Sequence, residues 1–398
     1  MVTGLRQMVA DLRVHPGRNV LTAISLFLGV FAVMAIIVTG DTVKEVFVAT
    51  AEQQGGRSAT FARTVSLPPT TGQADLVDMM AHLPVVPGVH LGCSAAPAES
   101  VFPLMSPVSS AAAQQETTGI TVTFVCGDYG SVYRLPMSQG RWLSDASAVA
   151  PYEVVMNKNA ASTLGGVGTQ VWLAGETTNT SFPVDVVGVV NDGAPQPTLY
   201  TSARAWFANA PQLVAPSTLT LLWQEPGAAQ TQVESVTNDW LTDRGLSRDS
   251  AVTQTDTLAG FQGFIAVMQW SFAGVAGLSL AVAALGIVNV GLASVRERAH
   301  ELVIRRAIGA SKASIVQMIV GSSLLLAVFV AAVSAVVAWV GLLVFRGQIA
   351  YDSPIVAPGY PVTAAVVGVS VSVVTALVGS IIPGIVASRL QPGLALRD

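Results

Sequence analysis

Hydrophobic positions along the chain gather into four long uncharged blocks. Val20 to Thr39 runs for 20 residues, Phe264 to Ala293 for 30, Ala313 to Phe345 for 33 and Val362 to Ser388 for 27. An α-helix needs about 20 apolar residues to cross a hydrocarbon core of roughly 30 Å, so each block predicts a membrane-spanning helix. Between the first two blocks the pattern changes. Alternation of period two at Val184–Val190 and Ile120–Val125 predicts strands, and Pro/Gly-rich clusters such as Leu67-Pro-Pro, Leu83–Gly88 and Asn191–Pro195 predict turns. Helical periodicity flanks this stretch at Asp41–Val48 and at Ala229–Arg244, where Val233, Val236, Trp240 and Leu241 fall on one side. The fold expected is a membrane protein with four transmembrane α-helices and a large α+β extracytoplasmic domain between the first and second. Its segments are 1–19 (cytoplasmic), 20–40 (span), 41–263 (outer domain), 264–293 (span), 294–312 (cytoplasmic helix), 313–345 (span), 346–361 (short outer connector), 362–388 (span) and 389–398 (cytoplasmic tail).

Composition supports this reading. Charged residues make up 11% of the 398, and mean hydropathy is +0.57; ordinary globular chains carry roughly 25% charged residues. Charge also orients the spans. The stretch 41–262 holds nine basic and nineteen acidic residues, whereas 294–312 holds five basic and two acidic. Arg6, Arg13 and Arg18 precede the first span, and Arg389 and Arg397 follow the last. Basic segments stay inside, so both termini are expected in the cytoplasm and the acidic domain outside the bacterial cytoplasmic membrane. A net charge of −4 excludes a nucleic-acid binder that works through a basic surface.

Candidate chemistry is sparse. None of the three lysines (Lys44, Lys158, Lys312) completes a Gly-Lys-Ser/Thr phosphate loop, so the chain is not expected to be an ATPase itself. His15, His82, His90 and His300 are scattered, and no metal site is expected from them. No Gly-x-Ser-x-Gly or His-Glu-x-x-His pattern occurs, and no catalytic residue is assigned. Cys93 and Cys126 both fall in the outer domain, an oxidising compartment, which makes them candidate disulfide partners; the alternative is two buried thiols. The segment 294–312 is the most informative. Glu301 precedes Arg305 by four residues in the favourable order for a helix, Ala299, Val303 and Ala307 stack on one side, and Ile304 and Ile308 widen that apolar stripe. Gly309 is placed to end this helix and Ser311 to cap the next. A basic amphipathic helix beside a membrane either lies on lipid headgroups or docks a cytoplasmic partner.

Those residues carry a resemblance. Arg296-Glu297-Arg298, then Glu301-Leu-Val-Ile-Arg305-Arg306-Ala-Ile-Gly309-Ala-Ser, resembles the signature of the FtsX-like permeases, the membrane subunits of MacB-type ABC transporters. Leu285–Val290 and the tail Pro383–Arg397 are similar to the flanking parts of that family, and Gly140-Arg-Trp-Leu, Glu153–Asn157 and Val187–Val190 are similar to its outer-domain motifs. The resemblance implies ATPase-coupling roles for Arg296, Glu297, Arg298, Glu301, Arg305, Arg306 and Gly309. It implies a partner ABC ATPase dimer, which carries ATP and Mg, and a second copy of this chain or a similar permease. It implies an outer domain with a Porter-like part (41–134 and 206–263) and a Sabre-like part (135–205). The function expected is export of antibiotics, peptides or lipid-like molecules by transmitted motion, with a periplasmic adaptor as outer partner. The alternative is an FtsX-like regulator that activates an extracellular cell-wall hydrolase. Membrane lipid is the remaining partner.

Overall fold

The computed structural model describes residues 16–84, 89–97, 101–104, 119–144, 152–175, 181–209, 216–226, 230–248, 250–256, 258–356, 359 and 362–389. In chain order the elements are α1 (Pro16–Gln54), β1 (Thr60–Ser66), α2 (Gln73–Ala81), β2 (His90–Pro97), β3 (Val101–Leu104), β4 (Thr121–Gly127), α3 (Tyr129–Val132), β5 (Met137–Gly140), β6 (Tyr152–Asn157), α4 (Lys158–Leu164), β7 (Gln170–Gly175), β8 (Ser181–Val190), β9 (Thr198–Ser202), α5 (Ala203–Asn209), β10 (Pro216–Gln224), α6 (Gln230–Asp243), β11 (Thr253–Gln254), α7 (Leu258–Glu297), α8 (Ala299–Ala307), α9 (Lys312–Arg346) and α10 (Val362–Ser388). They divide into a helical unit (1–44, 263–349, 357–398) and an outer unit (45–262, 350–356).

The helical unit contains four helices long and apolar enough to cross a membrane. α1 and α7 are far longer than a span: 39 and 40 residues, or about 60 Å each at 1.5 Å per residue. Each outlasts the hydrocarbon core by roughly a factor of two. The helices pack through small residues, as spans do where close van der Waals approach replaces the hydrophobic drive. α10 buries Gly368, Ser372, Ala376, Gly379, Pro383 and Ala387 along one stripe. A methyl group at Gly379 would lie 2.9 Å from Ile287 of α7, and one at Gly291 would lie 2.6 Å from Pro383. The Ser372 hydroxyl donates to the Ala327 carbonyl of α9 at 3.0 Å, which satisfies a buried polar group inside the bundle.

The outer unit is built on one eleven-stranded mixed sheet, ordered β11-β1-β10-β2-β4-β9-β6-β8-β7-β3, with β5 added beside β8. Strands β4/β9 and β6/β8 run parallel and the other pairs antiparallel. The alternation of 184–190 reads out as β8, whose Val184 and Val186 face the core. That core is centred on Trp206, which stacks on Tyr152 at 4.4 Å and meets Phe182 edge-on at 5.5 Å. Its indole N–H donates to Thr201 Oγ1 at 2.7 Å, as a buried indole requires. Cys93 of β2 and Cys126 of β4 are cross-strand partners, bridged, with Cα atoms 5.0 Å apart.

Three details depart from expectation. The strand 101–104, placed by sequence in the Porter-like part, pairs with β7 and forms the opposite edge of the sheet. Sheet position follows long-range pairing, which chain order does not encode. In α6 the fourth buried position is Thr237 and not Val236; the Thr237 hydroxyl donates to the Val233 carbonyl one turn back and so can be buried. In α8 the inward side chains are Leu302 and Val303, so Val303 of the expected apolar stripe packs within the chain while Ile304 and Ile308 of that stripe are exposed.

The three weak outer-domain motifs meet in space. Gly140 (φ +71°) of β5 pairs with Gly188 of β8, and a side chain at Gly188 would run into the Arg141 carbonyl. Arg141 forms an ion pair with Glu153 of β6. Asn157, fully buried at the end of β6, caps α4 by accepting from the Ala160 N–H at 2.8 Å. It also accepts from the Thr198 N–H at 3.0 Å and donates to the Gln196 carbonyl at 2.7 Å. These residue types hold strand crossings together. Nearby, burial and then the Asp192 carboxylate push the Tyr200 phenol pKa upward, so Tyr200 stays protonated and donates to Asp192 at 2.8 Å.

Candidate functional site

The loop between α7 and α9 is a short helix with a tight joint at each end. α7 stops at Glu297, and Arg298 alone separates it from α8. The Arg298 backbone (φ −101°, ψ 13°) breaks the helix direction, while its N–H still bonds back to the Ser294 carbonyl at 3.1 Å. At the far end Gly309 takes φ +108°, a conformation that favours glycine, and closes α8. Ser311 then caps α9, its hydroxyl accepting from the Ser314 N–H at 3.1 Å.

Glu301 lies at the centre of the charge pattern. It accepts from Arg298 Nε at 3.1 Å and from Arg305 Nη2 at 2.6 Å, so one carboxylate ties the joint to the body of the helix. The sequence pairing of Glu301 with Arg305 captures half of this arrangement. Arg305 also reaches Met318 Sδ of α9 at 3.0 Å, and Arg306 donates to the Ser388 carbonyl at the end of α10 at 3.1 Å. Arg306 therefore meets one of the orphan carbonyls at a helix C-terminus, where a cation is favoured. Leu302 packs with Val295, Ile315 and Ala387, so α8 is fastened to the adjoining ends of α7, α9 and α10 by apolar and polar contacts. Arg296 and Glu297 occupy the exposed last turn of α7.

The apolar stripe read from the sequence divides in the structure, with Val303 inward and Ile304 and Ile308 outward. His300, Ile304, Ala307 and Ile308 recur at helical spacing, and all are exposed; Ile308 is 82% accessible. An isoleucine this exposed, next to Gly309, gives α8 an apolar tip. The signal was available in the i, i+4, i+8 spacing of 300, 304 and 308, but periodicity does not say which of two apolar sides faces inward. Cys93 and Cys126 belong to the outer unit and take no part in this site. Among the described residues no group of three or more His, Cys, Asp or Glu side chains is suited to a metal ion. His82 instead pairs with Asp78 at 2.9 Å and His90 with Asp128 at 3.5 Å. The tail 390–398 and the segment 1–15 lie outside the described residues.

Four apolar helices, a large α/β domain between the first and second, and a charged helix joining the second to the third define a multi-pass membrane permease with an extracytoplasmic domain. Residues 20–257 match the MacB-like periplasmic core domain, and residues 273–392 match the FtsX-like permease C-terminal domain. The chain belongs to the FtsX-like, MacB-type family of ABC transporter permeases. It is similar to the macrolide export ATP-binding/permease protein MacB of Bordetella avium, 26% identical over 329 residues, covering 79% of this chain and 48% of that protein. It is also similar to the uncharacterized ABC transporter permease YknZ of Bacillus subtilis, 22% identical over 424 residues, covering 100% of this chain and 99% of that protein. The periplasmic region of MacB from Actinobacillus actinomycetemcomitans aligns with 52% of this chain and 93% of its own length, at 14% identity and a TM-score of 0.38. The chain spans about half the length of the MacB relatives it matches.

Proposed function

We propose that this chain is the permease subunit of a MacB-type ABC exporter, which passes ATP-driven motion of a separate ATPase to its outer domain. The observation that carries the reading is the continuity of α7. One unbroken 40-residue helix leads from Leu258, four residues after β11, to Glu297, two residues before the start of α8. A push on α8 is thus delivered along a stiff rod to the edge of the sheet. α1 forms a second rod, and its last turns are clamped: Arg134 reaches Glu45 at 2.6 Å and Glu52 at 3.0 Å.

The exposed face of α8 is the handle for the ATPase. Ile304 and Ile308 seat in an apolar groove of the partner, and Arg305 and Lys312 steer it. Both termini are cytoplasmic, as the basic loops direct. ATP and Mg belong to the partner, whereas a second permease copy and an outer partner complete the assembly. Substrates are antibiotics, peptides or lipid-like molecules.

Two variants test this. Ile308→Asp leaves the ion pairs of α8 intact and places a charge at the tip. It is expected to insert in the membrane normally but to lose at least 90% of ATPase co-purification and stimulation. Wild-type stimulation by Ile308→Asp would refute the docking role. Exchanging the charges of Glu301 and Arg305, by Glu301→Lys with Arg305→Glu, leaves net charge unchanged. It also sets the introduced lysine against Arg298, and is expected to abolish coupling.

A further inference from the structure

We infer that the connector between α9 and α10 is a third attachment of the outer domain, with Asp352 as its clasp. Residues 350–356 group with the outer unit although the helices on either side belong to the other. Fifteen residues separate Arg346 from Val362, whereas antiparallel helices are commonly joined by two to eight. The surplus is docked. The Asp352 residue is 9% exposed. Its carboxylate accepts from Lys158 Nζ at 2.5 Å, at the start of α4, and from the Ser138 hydroxyl of β5. Its backbone carbonyl accepts from Asn191 Nδ2 at 2.9 Å, just past β8. Four residues on, the Val356 N–H donates to Glu45 Oε1 of α1 at 3.2 Å, and that same carboxylate is held by Arg134.

One acid in a seven-residue segment thus engages β5, α4 and the end of β8, and a backbone N–H of the same segment engages α1. A buried carboxylate is tolerated only where it is paired and hydrogen-bonded, and here Lys158 and Ser138 supply that, while Asn191 holds the backbone carbonyl of the same residue. The local turn is set beforehand. The Ser353 N–H donates to the Ala350 carbonyl at 3.0 Å, and the Ser353 hydroxyl accepts from the Ile355 N–H at 3.2 Å. The chain of α9 and α10 is therefore tied to the β5–β8 edge, where the Gly140 and Gly188 crossing lies, as well as to α1. Displacement of these two helices is felt at β5 and β8 directly and does not have to travel the length of α1 and α7. This deepens the proposed function and rests on its reading of the outer domain as the driven part.

Hydrogen exchange on the full chain in nanodiscs tests the clasp. The amides of Ser353, Ile355 and Val356 should exchange slowly in the wild type. They should exchange at least ten-fold faster in Asp352→Asn and in Ser138→Ala with Lys158→Met, while β1 and β10 stay unchanged. Wild-type rates in both variants, or a wild-type connector that already exchanges like free peptide, would overturn it. In a second arm the complex with its co-purifying ATPase is trapped with ATP and vanadate. Nucleotide should alter exchange in β5 and β8, and Asp352→Asn should abolish that change while sparing β1 and β10. An unaltered response in Asp352→Asn would overturn the transmitting role. If nucleotide alters nothing even in the wild type, the proposed function fails, and the first arm still decides the clasp on its own.

Discussion

Replacing Arg134 by methionine removes the clamp on the last turns of α1 and keeps much of the side-chain volume. The Arg134 side chain is 12% exposed, Glu52 14% and Glu45 30%. Breaking a buried pair by deleting one partner costs about 3–5 kcal/mol, because the remaining charge is left buried. Glu45 retains access to water and also accepts from the Val356 N–H, so the expected loss is about one kcal/mol smaller, about 2–4 kcal/mol. For an outer domain of roughly 200 residues each kcal/mol lowers Tm by about 2–4 °C, giving a drop of roughly 5–15 °C. Differential scanning fluorimetry of the detergent-solubilised chain follows this through the outer-domain tryptophans. Removing the stranded carboxylates by combining Arg134→Met with Glu52→Gln and Glu45→Gln should recover at least half of the loss. A Tm for Arg134→Met within about 2 °C of wild type, or no recovery in the triple variant, would refute the claim that the clamp is electrostatic.

Further outcomes are expected. Reducing the Cys93–Cys126 bridge, or replacing both residues by alanine, opens a loop with a sequence separation of 33 and costs about 3–4 kcal/mol in the chain-entropy model; a linked peptide should appear in non-reduced digests, and free thiols under oxidising purification would contradict this. Cysteines at Thr70 and Ser314, with the native bridge kept, should differ in intact cells: an impermeant maleimide labels the first and not the second, and the reverse pattern would invert the topology. The Asp352 pKa is held below the ordinary carboxylate value by hydrogen bonds from Lys158 and then Ser138. A depressed acid gives stabilisation that is complete above the unfolded value of about 3.9 and is lost as pH falls through the folded value. Connector protection should therefore persist to about pH 5 and disappear only below about pH 4; loss between about pH 6 and 7 would contradict it.

The spans were legible because an uncharged run of about 20 or more residues has few other fates in a chain this long. The end of α8 and the cap of α9 were legible for a local reason, since Gly309, Ser311 and the Glu301–Arg305 spacing act within one or two turns, whereas the break at Arg298 was not. Legibility ended where partners are distant in sequence. Asp352 meets Ser138 214 positions away, Arg63 meets Asn238 across 175, and β3 finds β7 at the far edge of the sheet. A period-3.6 pattern also leaves open which apolar side of a short helix is buried, and for α8 that decided between Leu302 and Ile308. Three outer motifs that are weak as strings become specific in space, since Gly140, Gly188 and Arg141–Glu153 fasten a single strand crossing.

The central claim is that the outer domain is moved from the cytoplasmic side through α7. A cysteine at Gln254, an exposed position of β11 four residues before that helix, reports on it in proteoliposomes that carry the chain with its ATPase. The rate of reaction with an impermeant maleimide outside is measured while ATP and vanadate are supplied inside. A rate that changes several-fold on nucleotide trapping, and no longer changes when Ile308→Asp is added, is the result expected. An identical rate in every nucleotide state, with the ATPase bound and turning over, would contradict the account.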